Sequence, residues 1–304
     1  MQEKFVLTVC TASYLGQAKG MADSVILHNP GYKVVIGLAD KLDLKFDRSL
    51  FQPHRLVEVH ELNIPEFKEM AERYNILELS CALKTFFVGW LLQHESAGSV
   101  IYLDADILVF NSFGHAEELL SENSFLITPH ITSPFPDQHL RPMEKDILKT
   151  GMFNAGFFAV TNDKAGNTII DWWKSRMTDQ AFERPKEGLN IDQNWLNFVP
   201  LYFKDAALLE HPGYNVAYWN LHERQITKQG EQFFANDEPL VFFHYSGYVM
   251  SSPKEISKHQ DRTTMNGNKA LEELFSKYHT TLEMNNHQGM LETPFYYKKK
   301  KRLW

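Results

Sequence analysis

The stretch that decides the fold is Val100-Ile-Tyr-Leu-Asp-Ala-Asp-Ile-Leu-Val-Phe110. Its apolar runs predict a buried strand, and two carboxylates, Asp104 and Asp106, interrupt them one residue apart. Side chains two positions apart in an extended segment point to the same face, so both carboxylates can direct their oxygens to one point. Burying a carboxylate is costly unless something pairs with it. The sequence must therefore provide a partner for this pair.

A divalent metal ion is one partner that the two carboxylates could share. In an open α/β sheet, ligands bind in the crevice outside the carboxyl ends of the strands. The segment Leu240-Val-Phe-Phe-His244 places a histidine at the end of another predicted strand. Carboxylate oxygens suit Mg²⁺ or Mn²⁺, and one imidazole shifts the preference toward Mn²⁺. The alternative is a pair of aspartates that cap the backbone or pair with a basic side chain, because Asp-x-Asp alone is a weak signal.

Apolar strands and amphipathic helices alternate along the chain, which predicts an α/β fold with a mostly parallel sheet between helical layers. Besides the strand at 100–110, the predicted strands cover residues 4–9, 34–36, 56–59, 125–128, 153–160 and 240–244. The predicted helices cover residues 15–25, 79–91, 163–177 and 268–278, and a further helix begins near Asp192. The chain becomes polar after about residue 250. We therefore expect a main domain at 1–250 and a small C-terminal extension at 251–304.

Length and composition are those of an ordinary globular protein, with 304 residues, 43% of them hydrophobic and 23% charged. A net charge of −7 gives no reason to expect nucleic-acid binding across the whole molecule. The N-terminal segment is a poor signal peptide, and no run of about 18 uncharged apolar residues predicts a transmembrane helix. Cys10 and Cys81 lie within apolar patterns, so we expect reduced, buried thiols in a cytoplasmic protein.

The chain ends in Phe295-Tyr-Tyr-Lys-Lys-Lys-Lys-Arg-Leu-Trp304, where aromatic residues bracket five consecutive cations. This pattern suits an anionic membrane surface, because each cation contributes about 1 kcal/mol there and aromatic rings favour the interface. It equally suits a solvated, disordered tail, as terminal charge runs usually are. The first interpretation predicts a peripheral protein at the inner face of the cell membrane.

Several further polar residues lie within predicted elements. Asn154 and Gly156 belong to the strand at 153–160, where a bulge is the simpler explanation. Asp192 is either a helix N-cap or a site residue. Lys84 falls among apolar helix positions, where it either extends its ammonium to the surface or neutralises a phosphate. His130 is either a substrate contact in a loop over the site or an exposed loop histidine.

Taken together, these segments resemble nucleotide-sugar glycosyltransferases of the GT-A fold, in particular the retaining group that includes bacterial lipopolysaccharide galactosyltransferases and glycogenin. The resemblance runs in order from about Phe5 to about Arg262. It implies a Rossmann-like α/β/α sandwich around a mixed, mostly parallel sheet, and a main domain that binds a nucleotide sugar and carries catalysis. The segments at 215–220 and 256–260 also resemble uncharacterised bacterial relatives.

The resemblance implies a role for the residues of the nucleotide-binding half. Thr11, Ala12 and Tyr14 correspond to the family's uridine-binding turn, in which the tyrosine stacks on the base. Lys84 lies where the family carries a basic residue near the diphosphate or the donor sugar. These four residues are therefore expected to contact the nucleotide sugar.

The metal motif follows from the same resemblance. Leu103-Asp-Ala-Asp106 matches the family's Asp-x-Asp motif, so Asp104 and Asp106 would hold the metal, and Asp104 and Ala105 would also contact the donor. His244-Tyr-Ser-Gly247 matches the segment that supplies the third metal ligand, His244, and a diphosphate contact, Gly247.

The resemblance also implies which residues face the transferred sugar. Asn154-Ala155-Gly156 matches the segment that contacts the donor sugar. Asp192-Gln193 matches the pair beside the anomeric carbon. The expected catalytic residues are therefore Asn154, Asp192 and Gln193. Gln193 cannot serve as a general base, because an amide does not usefully titrate.

Two departures from the family pattern bear on nucleotide binding. Thr11 and Ala12 replace residues that are usually acidic in the lipopolysaccharide enzymes, so uracil recognition would depend more on backbone groups. Tyr248-Val-Met250 replaces the lysine and the Pro-Trp that commonly follow the glycine. We expect Lys258 or Arg262 to supply the missing cation to the diphosphate.

The implied reaction is the metal-dependent transfer of a hexose from a nucleotide-diphosphate sugar, expected to be a UDP-sugar, to a glycan or lipid-linked acceptor. The resemblance also implies retention of configuration, and it suggests a place in surface polysaccharide biosynthesis. Two alternatives stay open. One is a catalytically silent protein that binds a sugar nucleotide or a glycan, and the other is an Asp-x-Asp phosphotransferase.

Overall fold

The structure is a computed structural model that describes residues 3–297. The α-helices within these residues are α1 Leu15–His28, α2 Phe67–Arg73, α3 Ile76–His94, α4 Gly114–Glu122, α5 Glu144–Thr150, α6 Lys164–Met177, α7 Val199–Tyr202, α8 Lys269–Met284 and α9 His287–Met290. The strands are β1 Glu3–Cys10, β2 Tyr32–Leu38, β3 Arg55–Glu58, β4 Ala97–Leu103, β5 Ile107–Val109, β6 Phe125–Pro129, β7 Phe153–Thr161, β8 Glu183–Arg184, β9 Leu189–Asn190, β10 Ala206–Leu208, β11 Ile226–Gln229, β12 Gln232–Ala235, β13 Glu238–Pro239 and β14 Phe242–His244.

A seven-stranded sheet in the order β10-β6-β7-β4-β1-β2-β3 forms the centre of the fold. β7 runs antiparallel to both of its neighbours, β4 and β6, and the other pairs in this sheet are parallel. The predicted mixed, mostly parallel sheet is therefore confirmed. Because β7 is reversed, its first residues lie at the carboxyl ends of β4 and β6, where the sheet presents the two aspartates.

Helices cover both faces of the sheet, as the sandwich architecture requires. Alternate residues of β1 divide between the two layers: Phe5 and Leu7 face the cluster that contains α3 and α6, whereas Val6 and Cys10 face the cluster that contains α1. Trp173 of α6 is fully buried in the first cluster. The fold is the predicted α/β/α sandwich.

α3 begins at a capping box, in which the Asn75 side chain accepts from the Glu78 N–H and the Glu78 side chain accepts from the Asn75 N–H. It is the one helix of residues 3–297 that is long and apolar enough to cross a membrane, and 61% of its apolar window is buried inside the protein. The helix therefore serves as a core element, and it carries Lys84 into the interior.

Residues beyond 250 contribute to a third apolar cluster, in which α8 packs with β5, β14 and the three-stranded sheet β11–β13. The ring of Tyr278 in α8 stacks on Tyr245 with a centroid distance of 3.9 Å. The hydroxyl of Tyr278 accepts a hydrogen bond of 2.9 Å from Nε2 of Gln17 in α1. The extension is thus joined to the first helix, and the division of the chain at residue 250 stays a prediction.

Some predicted bounds differ from the structure. The helix expected near Asp192 is a 3-10 helix, Gln193–Phe198, followed by the single turn α7. The strand expected at 240–244 shortens to β14, while the helix expected at 268–278 extends to Met284. Cys10 and Cys81 carry free thiols, as expected, but Cys81 is only partly buried.

The hydrogen bond between Gln17 and Tyr278 predicts that contacts between the extension and the main domain contribute to the free energy of unfolding. Tyr278→Phe leaves the buried Gln17 amide without its acceptor, which should lower the free energy of unfolding by about 1–3 kcal/mol in urea denaturation. Replacing both partners, as in Gln17→Leu with Tyr278→Phe, should cost less than the sum of the single changes. Tyr202→Phe is the control, because Tyr202 is 57% exposed. Equal effects of Tyr278→Phe and Tyr202→Phe would contradict the coupling.

Candidate active site

The turn between β4 and β5 carries Asp104, Ala105 and Asp106, and neighbouring segments fix it on both sides. The N–H of Asp104 donates to the carbonyl of Gly156 at the start of β7 (2.9 Å), and the Tyr102 hydroxyl donates to Oδ1 of Asp104 (2.8 Å). β5 pairs antiparallel with β14, which ends at His244. The sheet therefore holds the turn against two other chain segments.

The side chain of His244 completes a cluster with the two aspartates. Its Nε2 lies 3.0 Å from Oδ1 of Asp106 and 3.9 Å from Oδ2 of Asp104. One ligand atom from each residue can be chosen so that all lie within 4.8 Å of one another. Two carboxylate oxygens and one imidazole nitrogen at these separations fit a divalent ion such as Mn²⁺ or Mg²⁺.

Asp106 and His244 perturb each other's pKa in opposite directions. Burial alone would raise the pKa of Asp106, but the adjacent His244 imidazole outweighs it and lowers that pKa. Burial alone would lower the pKa of His244, but the Asp106 carboxylate outweighs it and raises that pKa. Both shifts favour the charged forms, a carboxylate on Asp106 and an imidazolium on His244, and a metal ion bound here would compete with the imidazolium proton.

Gly156 makes the cluster sterically possible. A Cβ atom at this position would lie 2.5 Å from Cε1 of His244, 2.7 Å from Oδ1 of Asn154 and 2.9 Å from Oδ2 of Asp104. Real Cβ atoms essentially never approach so closely. The glycine of the Asn-Ala-Gly segment therefore leaves the space into which the carboxylate and the imidazole converge.

The ammonium of Lys84 lies at the centre of the site. Its Nζ is 3.1 Å from Oδ1 of Asp104 and 3.1 Å from Oδ2 of Asp192, and it donates to the Ala155 carbonyl (3.2 Å). Burial alone would lower the pKa of Lys84, but the two carboxylates outweigh it and hold the pKa well above its usual value. The lysine does not extend to the surface, so that alternative is wrong.

Asp192 is buried at the end of a strained segment. The residue before it, Ile191, has φ of +55°, which is unusual for a β-branched residue. Trp173 Nε1 donates to the Asp192 carbonyl (3.1 Å) and helps to fix the segment. Burial raises the pKa of Asp192, although Lys84 opposes the shift. Strain of this kind often accompanies a functional position.

Gln193 positions the Asn-Ala-Gly segment. Its Oε1 accepts hydrogen bonds from Nδ2 of Asn154 (3.1 Å) and from the N–H of Ala155 (3.0 Å), and its Nε2 donates to the Thr150 carbonyl (2.7 Å). The side-chain amide is thus engaged at both ends. Gln193 thus joins Asn154 to the segment that carries Asp192, while the roles of these three residues toward the donor sugar stay predictions.

The predicted uridine turn follows β1 at the same edge of the sheet, because β1 and β4 are parallel neighbours. Thr11 and Ala12 are buried, and Thr11 Oγ1 lies 2.8 Å from the Ser13 hydroxyl. Ala12–Tyr14 forms a 3-10 turn that leads into α1. Tyr14 is 48% exposed, so its ring is only partly covered by the protein.

Gly247, three residues after His244, lies against side chains of the C-terminal extension. Gly247 has φ of +73°, and a Cβ there would lie 2.4 Å from Cδ2 of His259 and 2.5 Å from the Ser257 hydroxyl. The space that glycine leaves is therefore filled by these two side chains. The N–H of Lys258 donates to the Gly247 carbonyl (3.0 Å), which places the exposed Lys258 beside the glycine.

The guanidinium of Arg262 binds the loop at 131–143 and not the segment around Gly247. Its guanidinium pairs with Asp137 and donates to the carbonyls of Leu140 (2.6 Å) and Pro142 (2.9 Å). It thus secures the loop at 131–143 to the C-terminal extension. Of the two cations expected near the diphosphate, Lys258 is the one that the structure leaves beside Gly247.

His130 is buried, so the interpretation as an exposed loop histidine is wrong. Its Nε2 lies 3.3 Å from Nδ2 of Asn154, and the ring of Trp219 packs edge-on against it at 5.1 Å. Trp219 also packs edge-on against His244 at 5.1 Å. Trp219 lies in the segment at 215–220 that resembles bacterial relatives, but no sequence pattern pointed to its contacts with these two histidines. No pattern pointed to His259 or Tyr102 either.

The close packing around Gly156 allows a test of whether Asp104, Asp106 and His244 bind a metal ion. Gly156→Ala forces His244 and Asp104 apart and should lower the affinity for Mn²⁺ by about 10- to 100-fold in calorimetry. Gly31→Ala is the matched control, because a Cβ at Gly31 would have nothing within 4 Å. Equal Mn²⁺ affinity in the two variants would show that these residues do not hold the ion.

The burial of His130 predicts a pH dependence of stability. Burial lowers the pKa of His130 to about 4, whereas an unfolded histidine has an ordinary value of 6.5. The unfolded state therefore binds the proton more readily between these values, and stability is lost as the pH falls through this range. His130→Gln should reduce the stability loss between pH 7 and pH 5 by about 2 kcal/mol in urea denaturation.

The control for His130→Gln is His139→Gln, since His139 has a 79% exposed side chain. This control should retain the wild-type dependence of stability on pH. If His130→Gln also retained it, the buried neutral state of His130 would be contradicted.

Comparisons with known sequences place the chain in a family. Residues 5–250 match the family model described as Glycosyl transferase family 8. Two relatives from Bacillus subtilis (strain 168) carry the names uncharacterized protein YfnF and uncharacterized protein YfnD. YfnF is 26% identical over 211 residues, which is 68% of this chain and 69% of YfnF. YfnD is 25% identical over 211 residues, which is 66% of this chain and 63% of YfnD, less than two thirds of its length.

Solved structures share the fold. The galactosyltransferase LgtC, in complex with donor and acceptor sugar analogues, is 16% identical with a TM-score of 0.56, covering 95% of this chain and 100% of LgtC. The glycosyltransferase GlyE of Streptococcus pneumoniae TIGR4 is 17% identical with a TM-score of 0.52, covering 99% of this chain and 66% of GlyE. With the family match over most of its length, the chain belongs to glycosyltransferase family 8 and is a glycosyltransferase of the GT-A fold.

Proposed function

We propose that this glycosyltransferase transfers a hexose from a UDP-sugar to the hydroxyl of a glycan or lipid-linked acceptor, with a divalent ion and with retention of configuration. The convergence of Asp104, Asp106 and His244 beside the Lys84 ammonium carries the proposal. With a divalent ion bound, this arrangement would place positive charge at the carboxyl end of β4, where an open α/β sheet binds its ligand. A diphosphate leaving group is the chemistry that such a site suits.

Asp104, Asp106 and His244 would hold the ion, which we propose to be Mn²⁺ or Mg²⁺. When bound, such an ion acts as a Lewis acid for the negative charge that develops on the diphosphate. The imidazole favours Mn²⁺ over Mg²⁺. The turn between β4 and β5 would bring Ala105 next to the donor as well.

Lys84 would add a second, preorganised positive charge. Its ammonium is already held by Asp104 and Asp192, so little reorganisation is needed when the leaving group develops charge. Lys258 would stand in for the lysine that the family commonly has after the glycine, because its backbone is bonded to Gly247. Together these groups would neutralise the diphosphate.

Asp192 would stabilise the positive character of the anomeric carbon, since its carboxylate is buried and close to Lys84. Asn154 would contact the donor sugar, and Gln193 would orient Asn154 through the bond between their amides. An amide cannot take the acceptor proton. We therefore propose that the departing phosphate accepts that proton on the side from which it leaves, and retention would then appear in the anomeric NMR spectrum of the product.

The uridine would bind at the turn after β1. Tyr14 would stack on the base, because its ring is partly exposed. Thr11 and Ala12 would contact the uracil through backbone groups, since neither side chain offers a carboxylate. A donor screen by calorimetry with Mn²⁺ would identify the sugar that the donor carries.

The acceptor and the location are proposed from the C-terminal segment. Phe295 and Tyr297 pack against the first apolar cluster, and the five cations that follow lie outside the described residues. Such a basic segment would attract the protein to anionic lipid. We propose a cytoplasmic enzyme that works at the inner face of the cell membrane on a lipid-linked glycan, in surface polysaccharide biosynthesis.

The test of the enzymatic proposal compares Asp106→Ala with the wild type in hydrolysis and transfer assays with UDP-sugars and Mn²⁺. Loss of one metal ligand should lower kcat/KM by about 100-fold or more, because the ion stabilises the leaving group by several kcal/mol. Asp171→Ala is the control, since Asp171 pairs with Lys174 on an exposed helix surface. UDP binding without turnover by the wild type, across donors and acceptors, would contradict the proposal.

The membrane proposal is tested by removing residues 298–304. The shortened protein should no longer sediment with anionic vesicles, because the five cations together contribute several kcal/mol of binding. Partitioning to vesicles of neutral lipid provides the control and should be weak for both proteins. Unchanged sedimentation with anionic vesicles would contradict the role of the tail.

A further inference from the structure

The last described residues of the chain return to the predicted uridine turn. The N–H of Tyr296 donates to Oδ1 of Asp40 (2.8 Å), which lies in the loop just after β2. The N–H of Lys41 donates to the same oxygen (2.8 Å), and the N–H of Ala12 donates to Oδ2 (3.3 Å). One carboxylate therefore joins the turn, the end of β2 and residue 296.

Asp40 is only 1% exposed, so its charge depends on these donors. Burial raises the pKa of Asp40, and the three backbone N–H groups oppose the shift, while the nearby Glu58 carboxylate adds to it. Because the negative charge of Glu58 disfavours the ionised form of Asp40, that form depends more strongly on the three N–H donors. If one donor were lost, the position of the Asp40 carboxylate beside Ala12 would become less stable.

Residues 295–297, here called the C-terminal strap, are anchored by their neighbouring side chains. The ring of Tyr297 packs edge-on against Phe67 at 4.9 Å, and Phe295 packs against the same apolar cluster. The Tyr296 side chain is 60% exposed, and only its backbone N–H reaches Asp40. The strap thus provides the Tyr296 N–H as a donor to Asp40, and the packing of Phe295 and Tyr297 fixes the position of that N–H.

The other side of the turn is also covered by the C-terminal segment. A Cβ at Gly16, just after the turn, would lie 2.7 Å from Cα of His287 at the start of α9. The ring of His287 lies 6.1 Å from the ring of Tyr14. The C-terminal segment therefore reaches the region of the turn at two places, through His287 beside Gly16 and through the Tyr296 N–H at Asp40.

We propose that Asp40 is a positioning residue for nucleotide binding, and that the C-terminal strap holds it against Ala12 through the Tyr296 N–H. The turn then takes its binding shape only when the strap is docked. This inference rests on the proposed function, because that function assigns the uridine to Thr11–Tyr14.

The test isolates the backbone N–H by comparing Tyr296→Pro, which lacks this donor, with Tyr296→Ala, which keeps it. UDP affinity is measured by calorimetry with Mn²⁺, and pyrophosphate with Mn²⁺ is the probe that lacks the nucleoside. Tyr296→Pro should weaken UDP binding by about 10-fold and leave pyrophosphate binding unchanged. Tyr296→Ala should bind both ligands as the wild type does.

A second variant, Asp40→Asn, keeps the size of the side chain but removes one acceptor oxygen, and it should weaken UDP binding in the same selective way. Hydrogen exchange without nucleotide provides a readout that needs no ligand. The amides of residues 12–16 should exchange faster in Tyr296→Pro and in Asp40→Asn than in Tyr296→Ala.

The outcomes separate this inference from the proposed function. If the wild type binds UDP and both Tyr296 variants bind it equally, the strap has no positioning role. Equal losses of UDP and pyrophosphate binding would show a general structural role and would also overturn the inference. If the wild type binds pyrophosphate but not UDP, the proposed function is wrong, and the inference fails with it.

Discussion

The buried ammonium of Lys84 is the charge on which the site depends. Asp104 and Asp192 each lie 3.1 Å from it, although the two carboxylates come from distant segments of the chain. Removing one partner of a buried ion pair typically costs about 3–5 kcal/mol, because an uncompensated charge remains. The one helix of residues 3–297 that is long and apolar enough to cross a membrane therefore carries the cation that makes the acidic site stable, and the apolar packing of α3 decides where that cation lies.

The reversed strand β7 is the second constraint. Because β7 is antiparallel to β4, its first residues lie beyond the end of β4, where Gly156 accepts a hydrogen bond from Asp104. A parallel strand at this position would bring its last residues there, next to the start of α6. The segment Asn154–Gly156, for which we propose a contact with the donor sugar, and the acidic turn thus meet because one strand of the sheet changes direction.

Periodicity in the sequence was enough to predict the sandwich, and the order of short motifs was enough to predict that Asp104, Asp106 and His244 meet. The pairing of Lys84 with Asp192 could not be predicted in this way, since Asp192 lies in a turn just before the 3-10 helix Gln193–Phe198 and has no periodic signal. The packing around Gly247 could not be predicted either, because Ser257 and His259, which fill the space beside it, lie in a segment with no periodic signal. Contacts between loops that are remote in sequence depend on tertiary packing, which local patterns do not encode.

The bond between Asp40 and Tyr296 links positions 256 residues apart. Proteins are synthesised from the N-terminus and their domains fold in that order. The turn at residues 11–14 is synthesised long before the Tyr296 N–H that bonds to Asp40. Under the proposed role of the strap, a translation product that stops before residue 296 would hold Asp104, Asp106 and His244 and still bind nucleotide poorly, so the nucleotide site would mature only after residue 296 has been synthesised.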